Sequence, residues 1–500
     1  MNRSNRIKLN DFKRNTAVPA VLIFFTLISN LTAQTFEEFC SRVKSAPEAQ
    51  RTALVDSFMN AVSAFPFIEN DSLAHFIFLG PASRVNVPGD ANNWNPAGFP
   101  MTRLATTNLW YRTEKFESDA RLDYKFVIDG SRWILDPENP RQVTGGFGPN
   151  SELSMPAYIQ PDEIKFLGGI PHGSLRDTTF FSAHLGNSRT VRIYLPPFYE
   201  RNTQRYPVIL FHDGLEYVSL AKANNVIDYL IWQNRIQPIL AVFVPPVNRT
   251  PEYVGRKQNA FTAFIVEELM PWVDGRYRTR KEPENRALLG ASNGGNIALW
   301  IGLNHPEVFG KIAAQSSNVE QSIRTGFQNR SKLDLQFYLD LGTYDIPLLI
   351  PRVKELVSIL QSRGYPVQYF EFHEGHSWGN WRAHIDNALM QFFPSNASSI
   401  HSEPSKPKKI KLQQNYPNPF NPTTTFAWSL VKAANVQLNI YNTRGQLIAR
   451  LGNHRQDAGE HSAVWDGTQT NGKRAASGIY FYELQIDGKP RESKKLILLK

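Results

Sequence analysis

Cysteine is almost absent from this chain, and a strong charge imbalance is absent as well. Cys40 is the single cysteine among 500 residues, which excludes an intramolecular disulfide and a cysteine-based metal site. Its place in the helix-like segment TFEEFCSRVKSA predicts a position in the core. The formal charge of +10 is a modest excess for this length. It favours solubility and gives no argument for a nucleic-acid partner.

A membrane-length apolar run is also missing, although the first 33 residues have the order of a secretory signal. Five basic residues precede an apolar run over 17–28, and the stretch SNLTAQ follows. This order predicts export with cleavage after Ala33. The alternative is a membrane anchor, but the run is shorter than the roughly 20 residues that a span requires. Cleavage would remove five basic residues and one acidic residue, which lowers the formal charge from +10 to +6.

Length and patterning predict several domains. Helical spacing dominates residues 34–69, and short strand-like segments between turns follow over 70–160, which predicts a small β-sandwich. Over 165–395, strand-like and helix-length segments alternate as in a mostly parallel α/β sheet. A Ser/Pro/Lys-rich linker over 396–410 precedes a second strand-rich unit over 411–500.

The stretch RALLGASNGGNIALW, residues 286–300, contains the central chemical motif. A short apolar strand enters a Gly-x-Ser-x-Gly turn, and a helix-like segment follows. In such a turn the Ser292 hydroxyl projects from the end of the sheet, and small neighbours are needed because the backbone is crowded. The N–H of Asn293 would face a developing oxyanion. The motif alone gives many false positives, so a base and an acid must be found elsewhere.

Acid and base are expected downstream of Ser292, in that chain order. FYLDLGTYDIP ends a strand with Asp340 and Asp345, and FEFHEGHSWGNWRAH ends the next with His373 and His376. We prefer Asp345 and His376 because each lies in the loop after its strand. Asp340 is still inside an apolar strand, and His373 is at a strand end. A carboxylate bound to one imidazole nitrogen would leave the other to take the serine proton.

The stretch VILFHDGLEY predicts the second half of an oxyanion site. The turn after this strand can present the backbone N–H groups of Gly214 and Leu215, and the glycine allows close approach. His212 and Asp213 are less suited to the triad because they precede Ser292. The alternative is an α/β domain with incidental polar loop residues. The Ser, Asp and His order, with each residue after a strand, favours the triad.

Residues 165–395 resemble the esterase D and enterochelin-esterase-like branch of the α/β-hydrolases, which includes the acetylxylan and feruloyl esterases of carbohydrate esterase family 1. The stretches that match are HDGLEY, NRTPEYVGRKQNAFTAFIVEELMPWVDGRYRT, LLGASNGG, LDLGTYD and EGHSWGNWR. The resemblance implies that Ser292, Asp345 and His376 are the serine, acid and histidine, and that neither a metal nor an organic cofactor is needed.

The same resemblance implies a substrate pocket around the triad. Arg249 and Glu252 match the family's Arg…Glu-Tyr stretch and are expected in the architecture of the pocket. Trp378, Trp381 and Arg382 are expected to shape the pocket or to pack beside the histidine loop.

The stretches VPGDANNWNP and LDYKFVIDGSRWILDPENP resemble the early-set, immunoglobulin-like sandwich of family 48 carbohydrate-binding modules. This resemblance implies that Trp94 and Trp133 could stack on sugar rings. The alternative, which we favour at this point, is that Trp94 packs the sandwich and the module merely abuts the active site.

The stretches LQQNYPNPFNPTT, LNIYNTRGQLI, WDGTQTNGKRAASGIYFYEL and KKLILLK resemble the C-terminal sorting domain of type IX secretion substrates. Over residues 411–500, this implies an immunoglobulin-like β-sandwich, the type IX machinery as a partner, and a secreted or surface location in a Gram-negative bacterium. A carbohydrate-binding role for this unit is the alternative.

Together these features predict a secreted serine esterase, an α/β-hydrolase between two β-sandwich domains. Its expected substrates are acetyl or feruloyl esters on polysaccharide. One alternative is a siderophore esterase of the enterochelin type. Another, from a different class, is a non-catalytic protein that binds glycan or a surface.

Overall fold

The computed structural model describes residues 35–146, 148–395 and 410–499, apart from positions 413, 416–417, 422–423 and 457–458. The signal segment expected over 1–33 and almost all of the linker expected over 396–410 lie outside the described residues. The chain divides into two compact units, with the boundary between Phe393 and Pro394. Within the described ranges, no helix combines the length and apolar character needed to cross a bilayer.

Two helices begin the first unit: α1 (Phe36–Ser45) and α2 (Glu48–Ala61). The Thr35 side chain accepts from the Glu38 N–H, and the Glu38 carboxylate accepts from the Thr35 N–H, so that both backbone donors at the start of α1 are satisfied. Cys40 lies on the buried face of α1, which confirms the predicted core position. Burial raises the pKa of its thiol to about 11, so the thiol is a neutral packing group.

Short strands follow the two helices, as the turn-rich pattern predicts. They are β1 (Phe67–Glu69), β2 (Leu73–Leu79), β3 (Val85–Asn86), β4 (Thr102–Arg103), β5 (Leu109–Lys115), β6 (Arg121–Tyr124), β7 (Phe126–Ile128), β8 (Arg132–Ile134), β9 (Gln142–Gly145) and β10 (Gly148–Ser154). Their sheets enclose a small aromatic core that includes Phe76, Trp110 and Phe126. We call residues 35–160 the N-terminal module. Its immunoglobulin-like class stays a prediction.

The rest of the first unit alternates strands and helices. The strands are β11 (Ser174–Ser182), β12 (Asn187–Leu195), β13 (Val208–His212), β14 (Leu240–Val244), β15 (Arg286–Ala291), β16 (Lys311–Gln315), β17 (Gln336–Tyr344) and β18 (Val367–Gly375). The helices are α3 (Gly214–Ser219), α4 (Ala223–Trp232), α5 (Arg249–Tyr253), α6 (Gln258–Ala263), α7 (Met270–Arg276), α8 (Asn293–Asn304), α9 (Gln321–Asn329), α10 (Leu349–Ser362) and α11 (Trp378–Phe392). A π-helical turn, Phe264–Leu269, joins α6 to α7.

The strands of this part form one sheet in the order β11-β12-β14-β13-β15-β16-β17-β18. Strand β12 pairs antiparallel with both β11, at the edge of the sheet, and β14, and the strands from β14 to β18 are parallel. The predicted alternation of strands and helices in a mostly parallel sheet is therefore confirmed. Apolar side chains cover both faces of the sheet in two separate clusters, because helices pack against each face.

The sheet does not end at β18. Residue Glu374 of β18 pairs with Arg121 of β6, so that strands β6, β10 and β9 of the N-terminal module extend the same sheet. This joint lies between segments far apart in the chain, and its single residue pair leaves no periodic signal in the sequence. The module and the α/β part are therefore joined by backbone pairing.

The second unit contains the described strands β19 (Lys411–Leu412), β20 (Thr424–Leu430), β21 (Ala434–Asn442), β22 (Leu447–Gln456), β23 (Gly459–Trp465), β24 (Gly478–Ile486) and β25 (Lys489–Leu498). They form two antiparallel sheets, β19-β20-β23 and β22-β21-β24-β25. Trp428, Trp465 and Tyr482 are buried in the core that these strands share.

Candidate active site

Ser292 lies between β15 and α8 in a strained backbone conformation. Its φ is 57° and its ψ is −121°, a combination that a residue with a side chain adopts only when its surroundings impose it. Three backbone hydrogen bonds hold it there. Its N–H donates to Gln315 O at 2.8 Å, and its carbonyl accepts from Asn296 N at 3.1 Å and from Asn318 N at 3.2 Å. The predicted strand, turn and helix around Ser292 are confirmed.

The turn is as crowded as its small residues predict. A Cβ on Gly290 would lie 2.3 Å from Gly294 O, and a Cβ on Gly294 would lie 2.8 Å from Asp213 Oδ2. A Cβ on Gly295 would lie 2.9 Å from the Cβ of Ser317. Larger side chains would push the turn between β15 and α8 away from the neighbouring strands, and Ser292 would move with it.

Asp345 and His376 are brought together by two parallel neighbours in the sheet. The register of β17 and β18 pairs Tyr344 with Gly375, and each predicted residue comes directly after a member of that pair. His376 Nδ1 lies 2.7 Å from Asp345 Oδ1. The Asp345 side chain is fully buried, whereas that of His376 is 19% exposed. Nε2 is therefore the imidazole nitrogen available to accept a proton.

The less favoured candidates for acid and base lie elsewhere. His373 is exposed and pairs with Asp119 of the N-terminal module at 2.7 Å. Asp340 is fully buried, and burial raises its pKa to about 6. It accepts a hydrogen bond from Gln315, which supports the structural role expected for it. His212 is buried too, and burial lowers its pKa to about 3, so it is neutral at physiological pH.

The predicted oxyanion donors lie at the N-termini of two helices. Gly214 and Leu215 begin α3, and Asn293 begins α8. N–H groups in the first turn of a helix have no acceptor within the helix, and the helix dipole favours negative charge at that end. A Cβ on Gly214 would lie 2.3 Å from Val244 N. Only glycine therefore lets α3 begin so close to β14.

Arg249 lines the site through a fork-like pair with Asp213. Its Nε and Nη2 donate to the two Asp213 oxygens at 2.8 Å each, and Nη2 also donates to Ala291 O at 3.2 Å. Glu252 is fully buried and holds Arg189 at 2.9 Å. It is a part of the framework beneath the loop after β14, and it does not reach the cavity wall. Trp378 and Trp381 pack edge to face, with ring centroids 5.0 Å apart, and Trp381 also contacts His376.

Ser292 and His376 open into one cavity of about 930 Å³. Its lining comes from both parts of the first unit: Asp90, Asn93, Trp94, Asp123, Lys125, Trp133, Gly145, Gly146, Asn150, Asp213, Glu216, Pro246, Val247, Arg249, Ser292, Ile346, His376, Ser377, Trp378 and Trp381. The volume is at the large end of the range for small-molecule sites.

The N-terminal module supplies nine of these lining residues, which we call the module wall. This agrees with the expectation that the module abuts the active site. Trp94 and Trp133 both lie on that wall. The Trp133 side chain is exposed, and the Trp94 indole donates to Asp90 Oδ1 at 2.9 Å. The stretch VPGDANNWNP could not show which of its residues reach the cavity, because that depends on the joint between β6 and β18.

Asp90 carries an unusual charge state for a carboxyl group at a cavity wall. Burial, and then the proximity of Asp123, raise its pKa to about 8. Its two oxygens accept hydrogen bonds from the Trp94 indole and from the Asp123 backbone N–H. Asp90 is therefore largely protonated at neutral pH. In the described parts of the chain, no group of three His, Cys, Asp or Glu side chains is arranged to hold a metal.

Two family models match this chain. Residues 182–392 match the family described as putative esterase, and residues 417–489 match the FlgD Ig-like domain. The chain therefore carries an esterase-type α/β-hydrolase domain and a C-terminal FlgD Ig-like domain. The match to the first family supports carboxylic ester hydrolysis.

Similar proteins agree with the first of these two matches. An endo-1,4-beta-xylanase/feruloyl esterase from Xylanibacter ruminicola is 25% identical over 49% of this chain, and the match covers 35% of that protein. An iron(III) enterobactin esterase from Escherichia coli is 23% identical over 59% of this chain and 81% of its own length. A solved enterobactin esterase from Shigella flexneri superposes with a TM-score of 0.57 and 20% identity, and covers 67% of this chain and 97% of its own. The last comparison shows a shared fold.

Replacement of Gly214 with alanine tests the oxyanion geometry. The added Cβ would collide with the backbone of Phe243 and Val244, so the start of α3 must shift. We expect kcat for ester hydrolysis to fall on the order of 100-fold, as when an oxyanion donor is lost. Gly275→Ala is the matched control because no atom lies within 4 Å of the added Cβ. Equal activity of the two variants would contradict the assignment.

Proposed function

We propose that this protein is a secreted serine esterase that removes acetyl or feruloyl groups from polysaccharide. The observation that carries the proposal is the joint placement of three side chains. Ser292, held in a strained turn, and His376 both line the cavity, and His376 is paired with the buried Asp345. This is the arrangement that nucleophilic catalysis by serine requires.

In the first half of the proposed reaction, Nε2 of His376 takes the proton from Ser292 Oγ as that oxygen attacks the ester carbonyl. Asp345 stabilises the imidazolium through the 2.7 Å contact with Nδ1. The backbone N–H groups near Asn293 and Leu215 hold the negative oxygen of the tetrahedral intermediate. The C–O bond of the ester then breaks, and the alcohol leaves with the proton from His376.

The second half repeats these steps with water. His376 takes a proton from a water molecule as the water attacks the acyl group on Ser292. The second tetrahedral intermediate collapses, the bond to Ser292 Oγ breaks, and Oγ recovers its proton from His376. Every proton is passed among the substrate, water and side chains of this chain, so the proposed mechanism requires no metal or organic cofactor.

Polysaccharide esters suit the shape and chemistry of the cavity. Trp94 and Trp133 on the module wall offer aromatic surfaces, and Asn93, Lys125 and Asn150 offer polar groups beside them. Aromatic rings combined with a few hydrogen-bonding groups suit a sugar, which has an apolar face and polar edges. A relative named for xylanase and feruloyl esterase activities supports this choice.

A siderophore trilactone is the second candidate within the same chemistry. The relative named iron(III) enterobactin esterase favours it, because the match extends over more than half of this chain. The lining of the cavity favours a neutral substrate. It includes four carboxyl groups and two cationic side chains, Lys125 and Arg249, and Arg249 is already paired with Asp213. A ferric catecholate complex is an anion that would need more cations for complementarity.

We also propose that the C-terminal unit directs the protein through the type IX secretion system of a Gram-negative bacterium. The basic last strand β25 and the sequence stretches noted above support this role, and the expected signal at 1–33 would first bring the chain across the inner membrane. The mature protein would then act outside the cell, where polysaccharide is accessible. A glycan-binding role for this unit remains the alternative.

Replacement of Ser292 with alanine tests the proposed chemistry. We expect hydrolysis of p-nitrophenyl acetate to fall by a factor on the order of 10⁴ or more, because the nucleophile is lost. The same pair of proteins should be compared on acetylated xylan, methyl ferulate and an enterobactin-type trilactone. Activity on the trilactone alone would favour the siderophore candidate. Absence of activity on all four substrates, with the wild-type protein folded, would favour the non-catalytic binding protein.

Replacement of Trp133 with alanine tests the role of the module wall. We expect KM for an acetylated or feruloylated xylan fragment to rise about fivefold to tenfold, since about 1 kcal/mol of stacking is lost. The rate on p-nitrophenyl acetate should not change, because we expect this small ester to make no contact with Trp133. Phe181→Ala removes an exposed aromatic ring outside the cavity and is the control. An unchanged KM on the fragment would remove Trp133 from the sugar site.

The sorting role can be tested with a carrier protein fused to residues 411–500. We expect export of the fusion to the cell surface or medium by a host with the type IX machinery. Deletion of β25 should abolish this export, because the strand is the end of the four-stranded sheet β22-β21-β24-β25. A version that lacks β25 and is still exported would contradict the sorting role.

A further inference from the structure

The N-terminal module contributes a buried arginine to the loop that carries His376. Arg121 is the residue of β6 that pairs with Glu374 at the joint of the sheet, and its side chain is fully buried. The guanidinium binds two carboxylates of its own module. Nη2 lies 2.6 Å from Asp123 Oδ1, and Nε and Nη2 donate to Glu152 Oε2 at 2.9 and 2.7 Å.

The third nitrogen of the Arg121 guanidinium bonds to a residue outside the module. Nη1 donates to Ser377 Oγ at 3.0 Å, and Ser377 is the residue directly after His376. The same oxygen caps α11, since it also accepts from Asn380 N at 3.4 Å. On the other side of the histidine, Asn380 Nδ2 donates to Gly375 O at 2.9 Å. Gly375 and Ser377, the residues before and after His376, are therefore each held by a hydrogen bond, and the bond to Ser377 comes from the module.

Close packing makes the joint specific. A Cβ on Gly379 would lie 2.0 Å from Arg121 Nη1, and a Cβ on Gly375 would lie 2.0 Å from Asp90 Cγ. Gly375 and Gly379, on either side of the histidine loop, thus leave room for the side chains of Asp90 and Arg121 from the module. Burial alone would raise the pKa of Glu152, but the Arg121 guanidinium lowers it below its usual value. The arginine is therefore held in place by charge as well as by shape.

We infer that Arg121 is a positioning residue for His376 that acts through its hydrogen bond to Ser377. This inference rests on the proposed serine mechanism and adds a dependence of that mechanism on the N-terminal module. Loss of the bond frees the Ser377 side chain to turn, and the imidazole loses the alignment that its contact with Asp345 requires. A misplacement of about 1 Å at a reacting group can lower a rate on the order of 100-fold.

The test uses Arg121→Lys, Ser377→Ala and the double variant of the full chain. Lysine keeps the buried charge beside Asp123 and Glu152 but has no second arm for Ser377. On p-nitrophenyl acetate, we expect each single variant to lower kcat at least tenfold with KM changed less than twofold. The double variant should be no slower than the slower single variant, because either change alone already removes the bond between Arg121 and Ser377.

Asp119→Asn is the matched control. Asp119 also joins the module to β18 through His373, but this contact is exposed and does not touch the loop of His376. The variant should have the wild-type kcat. Wild-type kcat in Ser377→Ala, or losses that multiply in the double variant, would overturn the inference.

A second measurement separates this inference from the proposed function. The proton between His376 Nδ1 and Asp345 should give a downfield proton resonance, identified by its loss in His376→Gln. We expect this resonance to broaden or disappear in Arg121→Lys and in Ser377→Ala, while the melting temperature stays within a few degrees of the wild type. Absence of esterase activity in the wild-type chain would contradict the proposed function. An unchanged resonance in both variants would overturn the positioning role, whatever the activity.

Discussion

The parallel register of four strands is the constraint on which the candidate site depends. Ala291 pairs with Gln315, Gln315 with Asp340, and Tyr344 with Gly375. Because the carboxyl ends of parallel strands meet at one edge of a sheet, the residues that follow Ala291, Tyr344 and Gly375 are placed at the same edge. A slip by one residue in any of these pairings would move Ser292, Asp345 or His376 away from the other two.

A buried polar link beneath this edge keeps the register in place. Gln315 Oε1 accepts from the Tyr217 hydroxyl at 2.9 Å, and Gln315 Nε2 donates to Asp340 Oδ2 at 3.0 Å. Its backbone carbonyl also accepts from Ser292 N. One glutamine thus connects helix α3, the turn at Ser292 and the strand that leads to Asp345. Buried polar groups are costly unless all partners are present, so this link favours one arrangement over its alternatives.

The sequence could predict what depends on local chemistry. Gly290, Gly294 and Gly295 indicate a crowded turn around Ser292 from local sequence alone. Asp345 and His376 each follow a predicted strand, in the chain order that a triad requires. The joint between β6 and β18 could not be predicted, because one residue pair between distant segments has no periodicity. The sequence could suggest that the module abuts the active site and that Trp94 and Trp133 bind sugar, but it could not show that both tryptophans line the same cavity as Ser292.

Different interactions therefore hold the two parts of the cavity wall, one around Ser292 and one from the N-terminal module. The wall with Ser292 is fixed by continuous strand pairing. The module wall is fixed by the short joint and by Arg121, whose fully buried side chain forms ion pairs with the buried residues Asp123 and Glu152. A buried ion pair adds little net stability compared with an apolar pair, but removal of one partner leaves an unpaired charge. The module is thus held in one position relative to His376. Under the proposed function, the part of the cavity lining that carries Trp133 also holds the loop of His376, which would link substrate binding to the alignment of the base.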